Sequence, residues 1–547
     1  NFIYKKELSY KKLPIVVNKR FESNFDTADY FNEEIRKLLY KKYGKDVLYK
    51  DGLVIKTTIN TNLQSIADKV LVEGLINYDI KRGWRGALKN INFPIYSNKF
   101  KKEEFKNPFS EKWILVQLIE ILDNKLFKVI DFNKNEYNIN LEIDDNLWLK
   151  KSEFEEGDIF YIEEKKKNFI IRQIPEVNGG IVVLNPHNGD VLALSGGLSF
   201  KLSEFNRATQ AKRQPGSAFK PFVYITALKE GYNPSTLILD APYVVDQGPG
   251  LPKWKPANYT EEFYGINTMR TGIEKSRNLM TIRLADRIGM NKILSTSKDF
   301  QIDKYIDEKL SMSLGSGHVT LISLTNAYGM IANGGKKIKP TMVKSIYSKD
   351  GTKIVHNEIK RCINCKLEKI NSIELLPKIL IDQEEILDSR IAYQITSMLE
   401  GVVLRGTGRK IKELNIPLAG KTGTTNDNKD AWFVGFSPDL VVGVYVGYDN
   451  PKSLGYKQTG SSVAAPIFKS FMRETKININ KIPFRIPSGL SFVKINPKTG
   501  LPSNNEDSIL EPYLIGSEPF NKNLNILDSL GSINNDTISG TGSLLEN

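Results

Sequence analysis

Arg213-Gln-Pro-Gly-Ser-Ala-Phe-Lys-Pro-Phe-Val-Tyr224 combines a Pro-Gly turn, a serine, a lysine three residues later and an apolar run. The turn is expected to deliver Ser217 to the start of a buried helix, with Lys220 one turn on along the same face. A serine hydroxyl is a poor nucleophile and needs a base within hydrogen-bond reach. The chain has three histidines, His187, His318 and His356, none in a catalytic-looking setting, so Lys220 is the candidate base. To accept a proton near neutral pH its pKa must be lowered by desolvation or by a neighbouring cation. A second lysine, Lys421, is the candidate for that cation.

Two further short patterns follow in order, Ser276-Arg-Asn278 and Lys421-Thr-Gly423-Thr424. Spacing alone decides nothing. Ser-x-x-Lys recurs at Ser9/Lys12, Ser295/Lys298 and Ser491/Lys494, Ser-x-Asn at Ser503/Asn505 and Ser532/Asn534, and Lys-Thr-Gly at Lys498. Context separates them: Lys421 lies between Leu418-Ala-Gly420 and the strand-like Ala431-Trp-Phe-Val-Gly435, which suits an edge strand able to pair with an extended peptide. Lys498, in Asn-Pro-Lys-Thr-Gly-Leu-Pro, reads as a turn.

Around this centre the chain divides by period. Residues 26–44 are amphipathic with a basic last turn and Gly44 as C-cap, 52–59 alternate as a strand, and 62–78 return to helical spacing. Between 86 and 172, short β-branched and aromatic runs at 113–121, 126–131, 136–143, 158–163 and 169–174 are separated by charged turns. Five such strands suggest a small inserted barrel; a spacer or partner-docking role is expected, with oligosaccharide binding open. Ile181-Val-Val-Leu, Asn185-Pro-His-Asn-Gly189 and Val191-Leu-Ala-Leu form a hairpin that begins the main domain, whose last clear strands are 430–435 and 440–448. A flexible tail is expected beyond about residue 521, where Asn, Ser and Gly accumulate.

Length and composition set outer limits. At 547 residues, two to four domains are expected. The net charge of +14 comes mostly from dispersed lysines interleaved with acids, not from an arginine and aromatic stripe, so nucleic acid is not an expected partner. No apolar run reaches the roughly 18–20 residues of a bilayer span. The chain starts on Asn1 within a helical pattern, and a leader or anchor ahead of it is expected. Cys362 and Cys365 form one C-x-x-C with only His356 nearby. About four ligands are needed for structural zinc, so no metal is expected, and a small disulfide or two free thiols stay open.

With their order and flanks, the three patterns resemble the penicillin-recognising serine transferases and hydrolases. The closer resemblance is to class A penicillin-binding proteins of the Gram-negative type with an inserted oligonucleotide/oligosaccharide-binding-like (OB-like) domain. Tyr78-Asp-x-x-x-Gly-Trp-Arg-Gly86, Phe205-Asn-Arg-Ala-Thr-Gln210, Trp254-Lys-Pro-Ala-Asn-Tyr259, Gly406-Thr-Gly408 and Asp430-Ala-Trp-Phe433 carry it, over nearly the whole chain to about Gly500.

The resemblance implies an α/β (α+β), transpeptidase-like fold: an antiparallel sheet flanked by helices, with a small OB-like insert. It implies residues 1–51 as a linker remnant, 52–85 as the first strand and helix of the transpeptidase domain, 86–172 as the insert, 173–482 as the rest of that domain and 483–547 as an extension and tail. Ser217 would be the nucleophile, Lys220 its base, Ser276 the proton relay, Asn278 a ligand of Lys220 and the substrate amide, and Lys421 the electrostatic tuner. Thr422, Gly423, Thr424 and Trp254 would bind substrate, with the carboxylate on Thr422 and Thr424. The N–H groups of Ser217 and Thr424 would form the oxyanion hole. No cofactor is implied. The partners implied are D-Ala-D-Ala stem peptides, an amine acceptor, β-lactams as covalent inhibitors and cell-wall synthesis proteins, on the periplasmic side of the inner membrane. The family's glycosyltransferase domain and membrane helix are not in this sequence, so polymerising activity is expected only of a parent protein.

Rivals are distinguishable. A β-lactamase needs a base for water, and no Glu-x-x-x-Asn lies between Asn278 and Lys421. A D,D-carboxypeptidase differs only in giving water access to the same acyl-enzyme. A phosphate loop ending in Gly420-Lys-Thr422 needs glycine where Asn415 stands. A β-lactam sensor would acylate once and signal through a tethered element, and none is visible.

Overall fold

In the strand Asn178–Leu184, successive side chains face opposite sides, as strand geometry requires: Ile181 and Val183 join one apolar cluster, Val182 and Leu184 another. A computed structural model describes residues 28–109, 112–123, 125–149, 152–246, 249–250, 252–302, 304, 306–356, 360–363, 365, 378–381, 383–476, 481–519 and 526–527. The expected tail beyond 521 lies almost wholly outside them. Asn178–Leu184 belongs to a five-stranded antiparallel sheet, in spatial order Ala419–Thr424, Asp430–Phe436, Val441–Gly447, Asn178–Leu184 and Val191–Ser195.

Because both faces are apolar, both must be covered. Helices Lys220–Lys229, Leu321–Ala332 and Ser389–Leu404 cover one face, and Thr61–Ile80 and Ala465–Thr475 the other. The result is a three-layer α/β fold with Ala419–Thr424 on an open edge. Helix Thr61–Ile80 starts where Asn60 accepts the N–H of Leu63.

Helix Asp29–Lys50 runs past the expected stop. Gly44 (φ 78°) does break the helical backbone, but the chain resumes helix after the kink. Its Phe31, Ile35 and Leu39 are buried in the main core, so this segment is more than a connector.

The inserted region forms a six-stranded sheet. Strands Trp113–Asp123, Leu126–Asp131, Glu136–Asn140, Asp158–Lys165 and Asn168–Arg172 are present, together with the short Lys89–Asn90 that the sequence did not signal. Asp158–Lys165 pairs with Trp113–Asp123 along one edge, and its other edge is shared by Asn168–Arg172 and Lys89–Asn90. No pairing among the described residues closes the sheet.

One more feature was not anticipated. A hairpin of Leu490–Ile495 and Ile509–Leu514 follows the main domain, with Lys498 in its connection as a turn residue, its N–H bonded to Asn496 Oδ1. Of the two states left open for the cysteines, the disulfide is the one found: Cys365 is disulfide-bonded. Among the described residues no helix is long and apolar enough to cross a membrane.

Phe468 is fully buried, its ring 4.7 Å from that of Phe433 at the sheet. Phe468→Ala is expected to cost about 3–5 kcal/mol, read as a lowered urea midpoint at unchanged slope.

Candidate active site

Helix Lys220–Lys229 is buried along almost its whole length, and Phe222 packs against Phe219, Phe300 and Tyr328. A 3₁₀ turn, Gly216–Phe219, leads into it and leaves Ser217 half-buried at its mouth. Tyr328 fixes the turn by donating from its hydroxyl to Ala218 O (2.7 Å). Two glycines let the edge strand press onto this turn. A Cβ on Gly216, at φ 52°, would lie 2.3 Å from Thr424 O, and one on Gly423 2.3 Å from Pro215 O. No side chain fits at either position, so the serine turn and the Lys-Thr-Gly strand touch backbone to backbone.

Lys220 and Lys421 are both fully buried. Lys220 Nζ donates to Ser276 O (2.7 Å) and Asn278 Oδ1 (2.8 Å), and more weakly to Ser276 Oγ (3.4 Å). Lys421 Nζ donates to Ser276 Oγ (2.8 Å) and Thr422 O (3.1 Å). One serine hydroxyl therefore bridges two amines. Burial pushes the Lys220 pKa well below the usual lysine range, and the nearby Lys421 charge adds to the effect. Burial alone lowers Lys421 to about 7.

Ser276 sits just past helix Met269–Glu274 at φ 57°, a left-handed position usually left to glycine. That conformation costs a non-glycine residue about 1–2 kcal/mol. It turns the Ser276 carbonyl and hydroxyl toward the two lysines. Asn278 is held from behind: its N–H donates to Asn258 Oδ1 (2.8 Å) and its Nδ2 to Ala257 O (2.8 Å), while Asn258 Nδ2 donates to the buried Asp240 (2.8 Å). Burial raises the Asp240 pKa, and its charge opposes the lowering at Lys220.

Ser217, Lys220, Ser276, Asn278 and Lys421 are thus brought to one place, although Ser217 Oγ is not among the acceptors of Lys220 Nζ in the described residues. Thr422 Oγ1 lies 2.7 Å from Thr407 Oγ1, and Thr424 Oγ1 accepts the N–H of Gly460 (3.1 Å). Trp254 is half-buried in a bridge with Val245. Trp432 is core, 1% exposed and packed on Tyr445. Sequence reasoning assigned no part to Asn258, Asp240 or Thr407. Asn258 and Thr407 lay inside stretches already singled out, whereas Asp240 carried no local signal. A cavity of about 800 Å³ adjoins the serine turn, lined by Arg213, Gln214, His318, Thr425, Lys429 and Asp430 among others.

Residues 179–473 match the family described as penicillin binding protein transpeptidase domain. The chain is 38% identical over 527 residues to penicillin-binding protein 1A of Rickettsia conorii, covering 94% of this chain and 66% of that protein. It is 40% identical over 516 residues to that of Rickettsia bellii, covering 92% of this chain and 64% of the relative. The chain therefore spans just under two thirds of these curated relatives. The crystal structure of penicillin-binding protein 1A from Haemophilus influenzae matches with a TM-score of 0.80 at 27% identity, covering 95% of this chain and 80% of that one. The PonA1 protein from Mycobacterium tuberculosis in complex with penicillin V, 18% identical, shares the fold at a TM-score of 0.55 over 87% of this chain and 98% of that one.

Lys421→Met tests the cost of the buried cation. The native Lys421 titrates near 7 and an unfolded one near 10.5, so between these values the unfolded chain binds more protons and stability rises with pH. The slope is about 1.4 kcal/mol per pH unit for one proton. Any stability advantage of Lys421→Met is therefore expected to be largest at or below pH 7 and to shrink toward pH 10, as read by urea unfolding at both ends.

Proposed function

The chain belongs to the penicillin-binding protein transpeptidase family, and on that premise we propose that it cross-links peptidoglycan stem peptides through an acyl-enzyme on Ser217. The carrying observation is the placing of two buried lysines on one hydroxyl, with a half-buried serine three residues before one of them. A neutral amine has two N–H donors and one lone pair. With Lys220 donating its two N–H bonds to the nearer acceptors, Ser276 O and Asn278 Oδ1, and none toward Ser276 Oγ at 3.4 Å, its lone pair is left for the proton of Ser217. Catalytic hydrogen bonds often tighten only when substrate binds, so the resting absence of a Ser217–Lys220 bond is compatible with this role.

In the proposed step, Ser217 Oγ attacks the carbonyl carbon of the penultimate D-Ala and its proton passes to Lys220. The oxyanion is held by the N–H groups of Ser217 and Thr424, each such donor typically supporting about 10²–10³ in rate. Ser276, hydrogen-bonded to Lys421, gives a proton to the nitrogen of the departing D-Ala and takes back from Lys220 the proton that Ser217 lost. Asn278 holds the substrate amide, and Thr422 and Thr424 its carboxylate, with the free edge of Ala419–Thr424 available to pair with the peptide. An amine from a second strand then attacks the ester and loses a proton through Ser276 to Lys220, which returns it to Ser217 Oγ as the ester bond breaks. Trp254 would border the cleft.

Transfer is favoured over hydrolysis because the carboxylates in the surrounding network are committed. Asp240 is bonded through Oδ1 to Asn258 and faces Arg277 from Oδ2 (3.8 Å), and Glu274 is bonded to Arg270 and Arg405. The cavity beside the serine turn offers room for the second strand. β-Lactams would acylate Ser217 as substrate mimics. Location at the periplasmic face of the inner membrane, wall-synthesis protein partners, and a glycosyltransferase activity of the parent protein are part of the same proposal.

Intact mass after exposure to benzylpenicillin should show one adduct, mapped to the peptide carrying Ser217. Ser217→Ala should abolish labelling by a fluorescent penicillin and Ser295→Ala should not; an adduct elsewhere, or none on folded protein, rejects the mechanism. With a thioester donor, added amine should divert product from hydrolysis to transfer.

The labelling rate should also rise with pH along an acid limb, because Lys220 must be neutral to take the proton. The apparent pKa of that limb belongs to the lysine pair. It should lie well below the ordinary lysine value.

A further inference from the structure

The C-terminal hairpin lies outside the family-matched segment, yet it inserts a carboxylate beneath the site. Glu511 is completely buried and Arg270 is 2% exposed. Arg270 Nη2 donates to Glu511 Oε1 (2.5 Å) and Nε donates to Oε2, a bidentate pair. The same guanidinium donates to Glu274 Oε1 (3.3 Å) and to Ser397 O and Oγ (2.9 Å each). Arg405 Nη2 also donates to Glu274 Oε1 (2.6 Å).

This network ends at the cleft on both sides. Glu274 closes the helix Met269–Glu274, two residues before Ser276. Its carbonyl accepts the N–H of Thr407 (3.2 Å), whose hydroxyl lies 2.7 Å from Thr422 Oγ1. The hairpin's own connection adds a second grip: Pro497 O accepts from Thr268 Oγ1 (2.5 Å) and Thr271 Oγ1 (3.0 Å), at the start of the same helix.

We propose that the C-terminal hairpin is a positioning element of the cleft, and that Glu511 is a positioning residue which, through Arg270 and Glu274, fixes Ser276 and the Thr407–Thr422 contact. This rests on the acyl-enzyme function proposed above. A buried ion pair is weak evidence for stability, since an apolar pair of similar volume often replaces it without loss. Its planar, two-bond geometry instead admits one orientation of the helix end. That orientation matters here because Ser276 is held in a left-handed backbone that its side chain disfavours.

The difference between stabilising and positioning is measurable with Arg270→Met/Glu511→Met in the full chain. Fluorescent-penicillin labelling and thioester turnover would be followed beside thermal unfolding. The double variant is expected to unfold within a few degrees of the parent, yet to label Ser217 at least tenfold more slowly, with the loss in kcat more than in KM. Glu511→Asp should retain more activity than Glu511→Gln. A folded double variant that labels within twofold of the parent overturns the proposal, as does a loss that only tracks the unfolded fraction. If the double variant does not fold, Glu511→Gln and Ser397→Ala are judged by the same criteria on their folded fractions. A parent that is itself unlabelled at Ser217 removes the acyl-enzyme function and this inference together, whereas a labelled parent with an unaffected variant removes the inference alone.

Discussion

Lys220 and Lys421 are withdrawn from water on either side of the Ser276 hydroxyl, and the rest of the site is arranged around the consequences of that burial. A buried ammonium is costly unless paired, and the usual outcome is loss of its proton. Here neither lysine has a carboxylate within salt-bridge distance among the described residues. Their partners are carbonyl, amide and hydroxyl oxygens, which satisfy N–H donors without holding the charge in place as a carboxylate would. Asp240 stands one residue removed, behind Asn258, where its charge moderates the depression at Lys220 without reversing it.

Such an arrangement requires close approach of elements far apart in sequence. The serine turn, the Ser276 loop and the Lys-Thr-Gly strand meet because glycine replaces side chains where backbones touch, at Gly216 and Gly423. They stay in register because each is anchored in a rigid layer: the turn on a wholly buried helix, the strand in the sheet through pairs such as Lys421↔Val434 and Gly423↔Trp432. Strand alternation then sends Lys421 toward Ser276, while Thr422 reaches Thr407.

Much of this was legible in the sequence, for a physical reason. Ser217 and Lys220 are one helical turn apart, and Lys421 to Thr424 are successive residues of one strand, so local geometry alone orders them. The hairpin at Asn178–Leu184 and Val191–Ser195 was equally plain from its alternation and turn residues. What escaped was non-local. Asp240 gains its place only through Asn258, which itself acts on a helix start twenty residues later. The inserted strands were visible one by one, but whether their sheet closes depends on which edges pair, and Asp158–Lys165 spends its second edge on two short neighbours. The C-terminal hairpin went unseen because its sequence, broken by Asn, Pro, Gly and Ser, resembles a loop. Its order comes from what it packs against, including Glu511 on Arg270.

The same contrast explains how a strained centre can persist. Two buried amines, a serine in a left-handed backbone and an oxygen of Asp240 that faces Arg277 at 3.8 Å without a hydrogen bond are each unfavourable taken alone. They sit between two large apolar clusters, one on each face of the five-stranded sheet, and those clusters supply the free energy that makes local strain tolerable. An apolar core is indifferent to small rotations of a helix end, however, because dispersion and hydrophobic contacts have little directionality. Orientation at Ser276 must come from interactions that do have it. The bidentate guanidinium pair, the Pro497 carbonyl and the Asn258 amide are among the directional bonds around that loop, and they approach it from different parts of the chain.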